Sequence, residues 1–188
     1  GGARRPAVRG GGAEGAANAF DGEGCSRPTV APPSDYTLDA AARWAGSALA
    51  KRLMISIQIQ LAETTAEISQ SMERHKMRPV AILDSLNFWA PTTIAAHGVW
   101  INDDEIAVLK RHDVGISNNP ESNMKLSSGT APIIKYRKAG VSVGIGTDGA
   151  ASNNDLAMFE AKRPAAFQQT LVPMGTTAIS AAEPRETA

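Results

Sequence analysis

Val141-Ser-Val-Gly-Ile-Gly-Thr-Asp-Gly-Ala-Ala-Ser-Asn-Asn154 is the stretch that decides the fold, because it places a carboxylate directly after a buried-looking strand. β-Branched residues alternate there with small ones and suit a strand buried on both faces: Val141, Val143 and Ile145. Gly146, Gly149 and the small and polar residues beyond them cannot continue the strand. Asp148 is therefore predicted at the carboxyl end of the strand, where barrel enzymes keep catalytic residues.

The same letters also match the glycine pattern of a dinucleotide-binding loop, in Gly144-Ile-Gly-Thr-Asp-Gly149. Such a loop needs a helix that opens at its last glycine and an acidic residue roughly 20 positions further on. Here Gly149 leads into Ala150-Ala-Ser-Asn-Asn154, which is typical of a loop, and Asp148 would face the pyrophosphate. The context favours a catalytic carboxylate over a nucleotide site.

Composition limits the class of protein. The chain has 188 residues, 43% of them hydrophobic, which suffices for one domain core or a piece of one. Its 19 basic and 19 acidic residues balance, so no basic surface for nucleic acid is expected. A single cysteine, Cys25, excludes an intrachain disulfide and a cysteine-based zinc cluster. No apolar run approaches the roughly 18 residues of a membrane span, and we expect a cytoplasmic protein.

The chain divides into three parts. Residues 1–28 are rich in Gly, Ala and Arg and are predicted to be disordered. Residues 29–172 carry alternating strand and helix patterns, and residues 173–188 form a tail. Because residue 1 is glycine and the first part has little apolar content, we expect a fragment of a longer protein.

The middle part is predicted to form parallel βα units. Strands are expected at residues 29–31, 53–60, 93–99, 114–117 and 141–146. Helices are expected at residues 38–51, 64–86 with a break at Pro79, from Asn102 or Asp103, at 131–139, and at 155–171 with a kink at Pro164. Five strands suit either an open doubly wound sheet or part of a (β/α)8 barrel, and the pattern leaves both open.

Polar side chains follow four of the predicted strands: Gln60, Glu63, His97, Asn118, Asn119, Asp148 and Ser152. Each has a structural explanation of its own, such as a buried histidine, a first-turn helix acid, turn asparagines or a capping aspartate. An imidazole and two carboxylates at the same end of three strands are less easily explained by chance. The pattern therefore indicates a catalytic site.

Four motifs carry a resemblance to a known family: Gln60-Leu-Ala-Glu-Thr64, Ala95-Ala-His-Gly-Val-Trp100, Asn118-Asn-Pro-Glu-Ser-Asn-Met-Lys-Leu126 and Gly146-Thr-Asp-Gly-Ala-Ala-Ser-Asn-Asn154. Over residues 29–170 the chain resembles the amidohydrolase superfamily, and within it the 5-methylthioadenosine/S-adenosylhomocysteine deaminases and their chlorohydrolase-like relatives. The resemblance implies a (β/α)8 barrel of which this chain supplies about strands four to eight. It also implies a divalent metal, usually zinc, that activates water to remove an amino group from an adenosine derivative.

The resemblance assigns roles to four residues. Asp148 is implied to bind the metal and to take the proton of the attacking water. His97 is implied to hold the hydroxide or the tetrahedral intermediate, and Glu63 to carry a proton to a purine ring nitrogen. Ser152 lies in the loop that contacts the substrate, so Glu63, His97 and Ser152 are the expected substrate-binding residues.

The chain departs from the family pattern at expected metal ligands. Gln60 stands at the position of a family histidine ligand, and an amide is a poor zinc ligand beside imidazole. Asp148 is the remaining one of the four usual ligands, so we expect zinc binding to be weak or absent in this chain. Further departures lie at Pro33, Asp35, Gln58 and Gly98, and the remaining histidines, His75 and His112, are expected to face solvent from helices.

Two hypotheses follow. The first is a carboxyl-terminal portion of an adenosine-derivative deaminase, impaired or inactive as it stands, with a small purine nucleoside as substrate and no nucleic-acid or membrane partner. The second is a degenerate, non-catalytic relative that acts through subunit contacts. Half a barrel exposes strand edges and apolar faces, so either hypothesis predicts a homo-oligomer or a partner that supplies the missing half.

Overall fold

A computed structural model of the chain describes residues 29–31, 40–154 and 156–171. These residues form five strands: β1 (Thr29–Val30), β2 (Ser56–Leu61), β3 (Thr93–His97), β4 (Gly115–Asn118) and β5 (Val143–Ile145). They also form seven helices: α1 (Ala40–Leu53), α2 (Thr65–His75), α3 (Pro79–Ser85), α4 (Asp103–Arg111), α5 (Pro120–Lys125), α6 (Ile133–Lys138) and α7 (Met158–Leu171).

The five strands form one parallel sheet in the order β1-β2-β3-β4-β5. The register places Leu61 opposite His97, and Asn118 opposite Ile145. A doubly wound sheet reverses its strand order at a switch point, whereas here each strand is added next to the one before it. The sheet is therefore an arc of a (β/α)8 barrel wall, and the predicted parallel βα units are confirmed.

One face of the sheet carries the hydrophobic core. On β2, Ile57, Ile59 and Leu61 are buried, whereas Gln58 and Gln60 between them are exposed. Alternate side chains of a strand point to opposite faces, so the helices cover one face. The buried β2 residues pack in one cluster with helical side chains that include Val80, Leu83, Ile106, Leu109, Ile133 and Tyr136.

The expectation that the last strand is buried on both faces is wrong. Val143 and Ile145 of β5 are only half-buried, and Ile94 of β3 is 37% exposed on the uncovered face. Within the described part of the chain, no second layer packs against that face. In a closed barrel the opposite strands would cover it, and the described residues contribute five strands.

Local capping explains where α2 and α4 begin. The Thr64 hydroxyl accepts a hydrogen bond from the backbone N–H of Glu67 at 3.2 Å, as the sequence predicts. The Glu67 carboxylate also reaches back to the backbone N–H groups of Ala62 and Glu63, both at 2.8 Å. The cap of α2 thus holds the loop that carries Glu63. At α4, Asn102 and Glu105 form a complete capping box.

The boundaries differ from prediction mainly at two places. β2 begins at Ser56 rather than residue 53, because α1 continues to Leu53. α5 was not predicted, since Asn118-Asn-Pro120 is equally typical of a turn; in the structure Pro120 occupies its first turn, where a missing N–H costs nothing. Pro79 opens α3 in the same way, which confirms the predicted break.

Some predictions concern residues outside the described ones. They are the disorder of residues 1–28, the statement about Cys25, and the departures from the family pattern at Pro33 and Asp35. The start of the last helix at Asp155 and the tail 173–188 also lie outside the described residues. Among the residues that the structure does describe, no helix is both long and apolar enough to cross a membrane.

The two remaining histidines differ in their surroundings. His75 is exposed at the end of α2, as predicted. His112 is half-buried, with Nε2 2.8 Å from Asp84 Oδ1 and its ring stacked on Trp89, so the solvent-facing prediction is wrong for it. Partial burial tends to raise the pKa of Asp84, but hydrogen bonds from Trp89, Arg111 and His112 outweigh it and lower that pKa. His112 therefore joins α3 to the end of α4.

Tyr136 is a position where truncation is expected to be costly. Its side chain is fully buried, and its hydroxyl donates to the carbonyl of Gly98 at 2.5 Å. Tyr136→Ala is expected to lower the free energy of unfolding by about 3–5 kcal/mol, as for other buried aromatic residues. Tyr136→Phe leaves only the Gly98 carbonyl without its donor and is expected to cost about 1–3 kcal/mol. Urea unfolding followed by circular dichroism measures both, and equal costs would contradict this account of Tyr136.

Candidate active site

Three predicted site residues meet at the carboxyl end of the sheet. Glu63 follows β2, His97 ends β3, and Asp148 follows β5. His97 Nε2 lies 3.7 Å from Glu63 Oε2 and 3.9 Å from Asp148 Oδ2. The His97 side chain is 1% exposed, against 18% for Glu63 and 20% for Asp148. A buried imidazole thus faces two carboxylates that are only partly exposed to solvent.

Backbone geometry at the end of β3 fixes the position of His97. His97 has φ +71° and Gly98 has φ +55°, both in the left-handed region that is unusual for a residue with a side chain. The N–H of Gly98 donates to the carbonyl of Leu61 at 3.0 Å, which ties the turn to the end of β2. A Cβ at Gly98 would lie 2.8 Å from Tyr136 Oη. Glycine at this position therefore admits the Tyr136 hydroxyl.

Asp148 is held by hydrogen bonds on both carboxylate oxygens. The N–H of Gly149 donates to Oδ1 at 2.7 Å, and the hydroxyl of Ser122 donates to Oδ2 at 2.6 Å. Its backbone has φ +63°, so the turn after β5 aims the side chain back across the strand ends. Before it, a Cβ on Gly146 would lie 2.4 Å from Ser117 Oγ. The glycine lets β4 and β5 approach closely at their carboxyl ends.

Three side chains that sequence reasoning missed hold the site residues. Ser122 donates to Asp148, Asn123 Oδ1 lies 2.9 Å from His97 Nδ1, and Ser128 Oγ donates to Glu63 Oε1 at 2.9 Å. The motif Asn118–Leu126, which contains Ser122 and Asn123, supported the resemblance, but no role was assigned to these two residues or to Ser128. Adjacent Ser and Asn favour caps and turns over helix interiors, which is a signal that their side chains bond elsewhere.

Other predicted site residues lie apart from these contacts. Ser152 is half-buried in the turn after Gly149, and its N–H donates to the carbonyl of Gly149 at 2.9 Å. Gln60 is exposed on the uncovered face of β2, opposite Ala96. Asn119 Oδ1 accepts from Ser117 Oγ at 3.0 Å, so it stabilises the chain after β4.

The donor set does not make a complete metal site. Within the described residues there is no group of three or more His, Cys, Asp and Glu side chains placed to hold a metal ion. Catalytic zinc takes about three protein ligands with one open position. Asp148 and His97 supply two groups of a suitable type, and Gln60 supplies an amide. These residues alone do not fit a catalytic zinc ion.

Comparison with known proteins identifies the family. The model of the amidohydrolase family matches residues 4–183. The chain belongs to the amidohydrolase family. It is 51% identical over 132 residues to a 5-methylthioadenosine/S-adenosylhomocysteine deaminase of Carboxydothermus hydrogenoformans, covering 70% of this chain and 30% of that relative. It is 42% identical over 155 residues to a 5'-deoxyadenosine deaminase of Methanothermobacter thermautotrophicus, covering 82% of this chain and 36% of the relative.

Solved structures agree with this amidohydrolase assignment. The chain superposes on an adenosine deaminase from Xanthomonas campestris with bound zinc, with a TM-score of 0.84, 34% identity, and coverage of 92% of this chain and 40% of that one. A triazine hydrolase variant has a TM-score of 0.86 at 21% identity, which supports the fold alone. The predicted family and partial barrel are confirmed. The chain spans about a third of the length of the curated relatives.

Proposed function

We propose that this amidohydrolase chain forms the carboxyl-terminal part of the active site of a hydrolytic deaminase. The substrate class is an adenosine derivative of the 5-methylthioadenosine or S-adenosylhomocysteine type. One observation carries the proposal: the buried Nε2 of His97 faces Glu63 and Asp148 at the carboxyl end of the sheet. The relatives that match most of this chain are named as deaminases of such nucleosides.

The three side chains suit the addition of water to a purine ring. Asp148 accepts a proton from water while the water oxygen bonds to the carbon that carries the amino group. Glu63, in its acid form, gives a proton to the neighbouring ring nitrogen. Asp148 then protonates the amino group, which leaves as ammonia, and the new hydroxyl returns a proton to Glu63. The product is the corresponding oxo-purine, and both carboxyl groups regain their starting state.

His97 would position the water in this scheme. The distances of 3.7 Å and 3.9 Å from Nε2 to the carboxylates exceed a direct hydrogen bond. An oxygen placed between them could contact all three groups. Ser152 is proposed to contact the substrate from the turn beyond Asp148. The metal of the family would need ligands from outside the described residues, so no step is assigned to it.

A chimera tests the proposed function. It would join the amino-terminal part of the Carboxydothermus relative to this chain with Gln60→His, and its substrate would be 5-methylthioadenosine. We expect ammonia and the oxo-purine in equal amounts, and no ammonia from cytosine, which lacks the purine ring. A chimera that folds, binds zinc and releases no ammonia from any adenosine derivative would contradict the proposal.

The second candidate is a non-catalytic relative that acts through subunit contacts. Two observations favour it: Gln60 at an expected ligand position, and the uncovered sheet face that carries Gln58, Gln60 and Ile94. That face would be covered by the rest of a barrel or by another subunit. Folding and zinc binding without turnover in the chimera would support this candidate.

A further inference from the structure

The three site residues are held by one short segment of the chain. Ser122 and Asn123 lie in α5, and Ser128 lies in the loop after it. Their side chains contact Asp148, His97 and Glu63 respectively, at 2.6, 2.9 and 2.9 Å. We call residues 122–128 the support segment. It brings together residues at the carboxyl ends of three different strands.

The support segment is anchored to the chain that directly follows β4, and that chain is hydrogen-bonded to α7. The N–H of Asn123 donates to the carbonyl of Asn119 at 2.9 Å, and the N–H of Ser128 donates to the carbonyl of Asn123 at 2.8 Å. From α7, the amide of Gln168 donates to the carbonyl of Pro120 at 3.1 Å. Ser122 and Asn123 are both fully buried. Their side chains are therefore held in position and do not sample solvent.

The contact between Asn123 and His97 bears on which nitrogen of the imidazole ring carries the proton. The Asn123 atom that faces Nδ1 is its amide oxygen, which only accepts hydrogen bonds. A hydrogen bond at this 2.9 Å contact requires Nδ1 to carry the proton and to donate it. A neutral imidazole carries one proton, so its Nε2 has a free lone pair. In the described part of the chain, Nε2 is buried and has no hydrogen-bond partner.

We propose that Asn123 is a positioning residue that keeps His97 protonated on Nδ1, so that the lone pair of Nε2 points between Glu63 and Asp148. This inference rests on the proposed function for its purpose, because an unprotonated Nε2 can accept a hydrogen bond from the attacking water. In the other tautomer Nε2–H would donate towards a carboxylate and remove that acceptor. Ser122 and Ser128 hold the two carboxylates on either side.

The tautomer can be measured without substrate, metal or turnover. The chain has only three histidines, so long-range 1H–15N correlation spectra of the uniformly labelled 188-residue chain resolve each ring. We expect His97 to have a protonated Nδ1 and an unprotonated Nε2 in the neutral state. A wild-type spectrum with His97 protonated on Nε2 would overturn the proposal.

A matched pair of variants tests the cause. Asn123→Leu has a similar size and no acceptor, and we expect the majority of His97 to change to the Nε2-protonated form. Asn123→Asp keeps an acceptor oxygen and is expected to keep Nδ1 protonated. Ser128→Ala is the control, because it removes a contact with Glu63 rather than one with His97. It should leave the tautomer of His97 unchanged. An unchanged tautomer in Asn123→Leu would overturn the role of Asn123.

The signals of His112, which stacks on Trp89 away from the site, report whether each variant is folded. If Asn123→Leu does not fold, the wild-type tautomer and the Asn123→Asp variant still decide the proposal. A loss of Nδ1 protonation in folded Asn123→Asp would contradict it. Failure of deamination in the chimera would leave this spectroscopic result unaffected, so the inference and the proposed function can fail separately.

Discussion

Gln60→His is expected to increase zinc affinity in the chimera by at least about 10–100-fold, the range in which even outer-shell groups act. Imidazole is a strong zinc ligand, whereas an uncharged amide competes poorly with water. Gln60 is placed for this role because it lies exposed at the carboxyl end of β2, one residue before the partner of His97 in the register. The measurement is the amount of zinc that stays bound per chain after dialysis, determined by atomic absorption.

Ser56→His is the matched control for this variant. Ser56 lies on the same strand and the same face as Gln60, but at the opposite end of β2. It should not change zinc content or ammonia release. If the chimera with Gln60→His and the chimera that keeps Gln60 bound zinc with equal affinity, position 60 would not be a ligand position. Tighter zinc binding in Ser56→His would show that the effect is not specific to the carboxyl end of the sheet.

Asp148→Asn is expected to lower kcat of the active chimera by about 10²–10⁴-fold, the usual contribution of a general acid–base group. The amide has the same shape and its oxygen can still accept from Gly149 N–H or Ser122. It cannot take a proton from water. Steady-state ammonia release measures kcat, and zinc content measured on the same sample separates loss of the base from loss of a ligand.

The control for Asp148 is Asp113→Asn. Asp113 is exposed, and like Asp148 it has a positive φ, at +51°. The control therefore repeats the same side-chain change in a similar backbone conformation away from the site, and kcat should not change. If Asp148→Asn retained kcat within about tenfold of the chimera while zinc stayed bound, Asp148 would not be the base.

The alternation of strands and helices could be predicted because its signals are local. β-Branched runs, the Thr64 and Asn102 caps and the break at Pro79 depend on residues a few positions apart. α5 was missed because Asn-Asn-Pro suits both a turn and a first helical turn. The half-buried state of His112 was missed as well, since it depends on Asp84, 28 positions earlier.

The burial of the last strand was mispredicted for a different reason. The alternation of hydrophobic and small residues around Val143 is compatible with a strand that is buried on both faces or on one face only. The choice depends on how many layers pack against the sheet. The described chain supplies helices on one side only, which no local pattern reveals.

The sequence by itself determined the chemical types at the strand ends. Glu63, His97 and Asp148 could be placed there because strand period and glycine turns are short-range properties of the chain. Only the tertiary structure decided that the carboxylates of Glu63 and Asp148 lie close to Nε2 of His97. It also decided that Asn123 holds His97 and that Ser128 holds Glu63. Those contacts join residues 26 and 65 positions apart, so they depend on how the strands are ordered in the sheet.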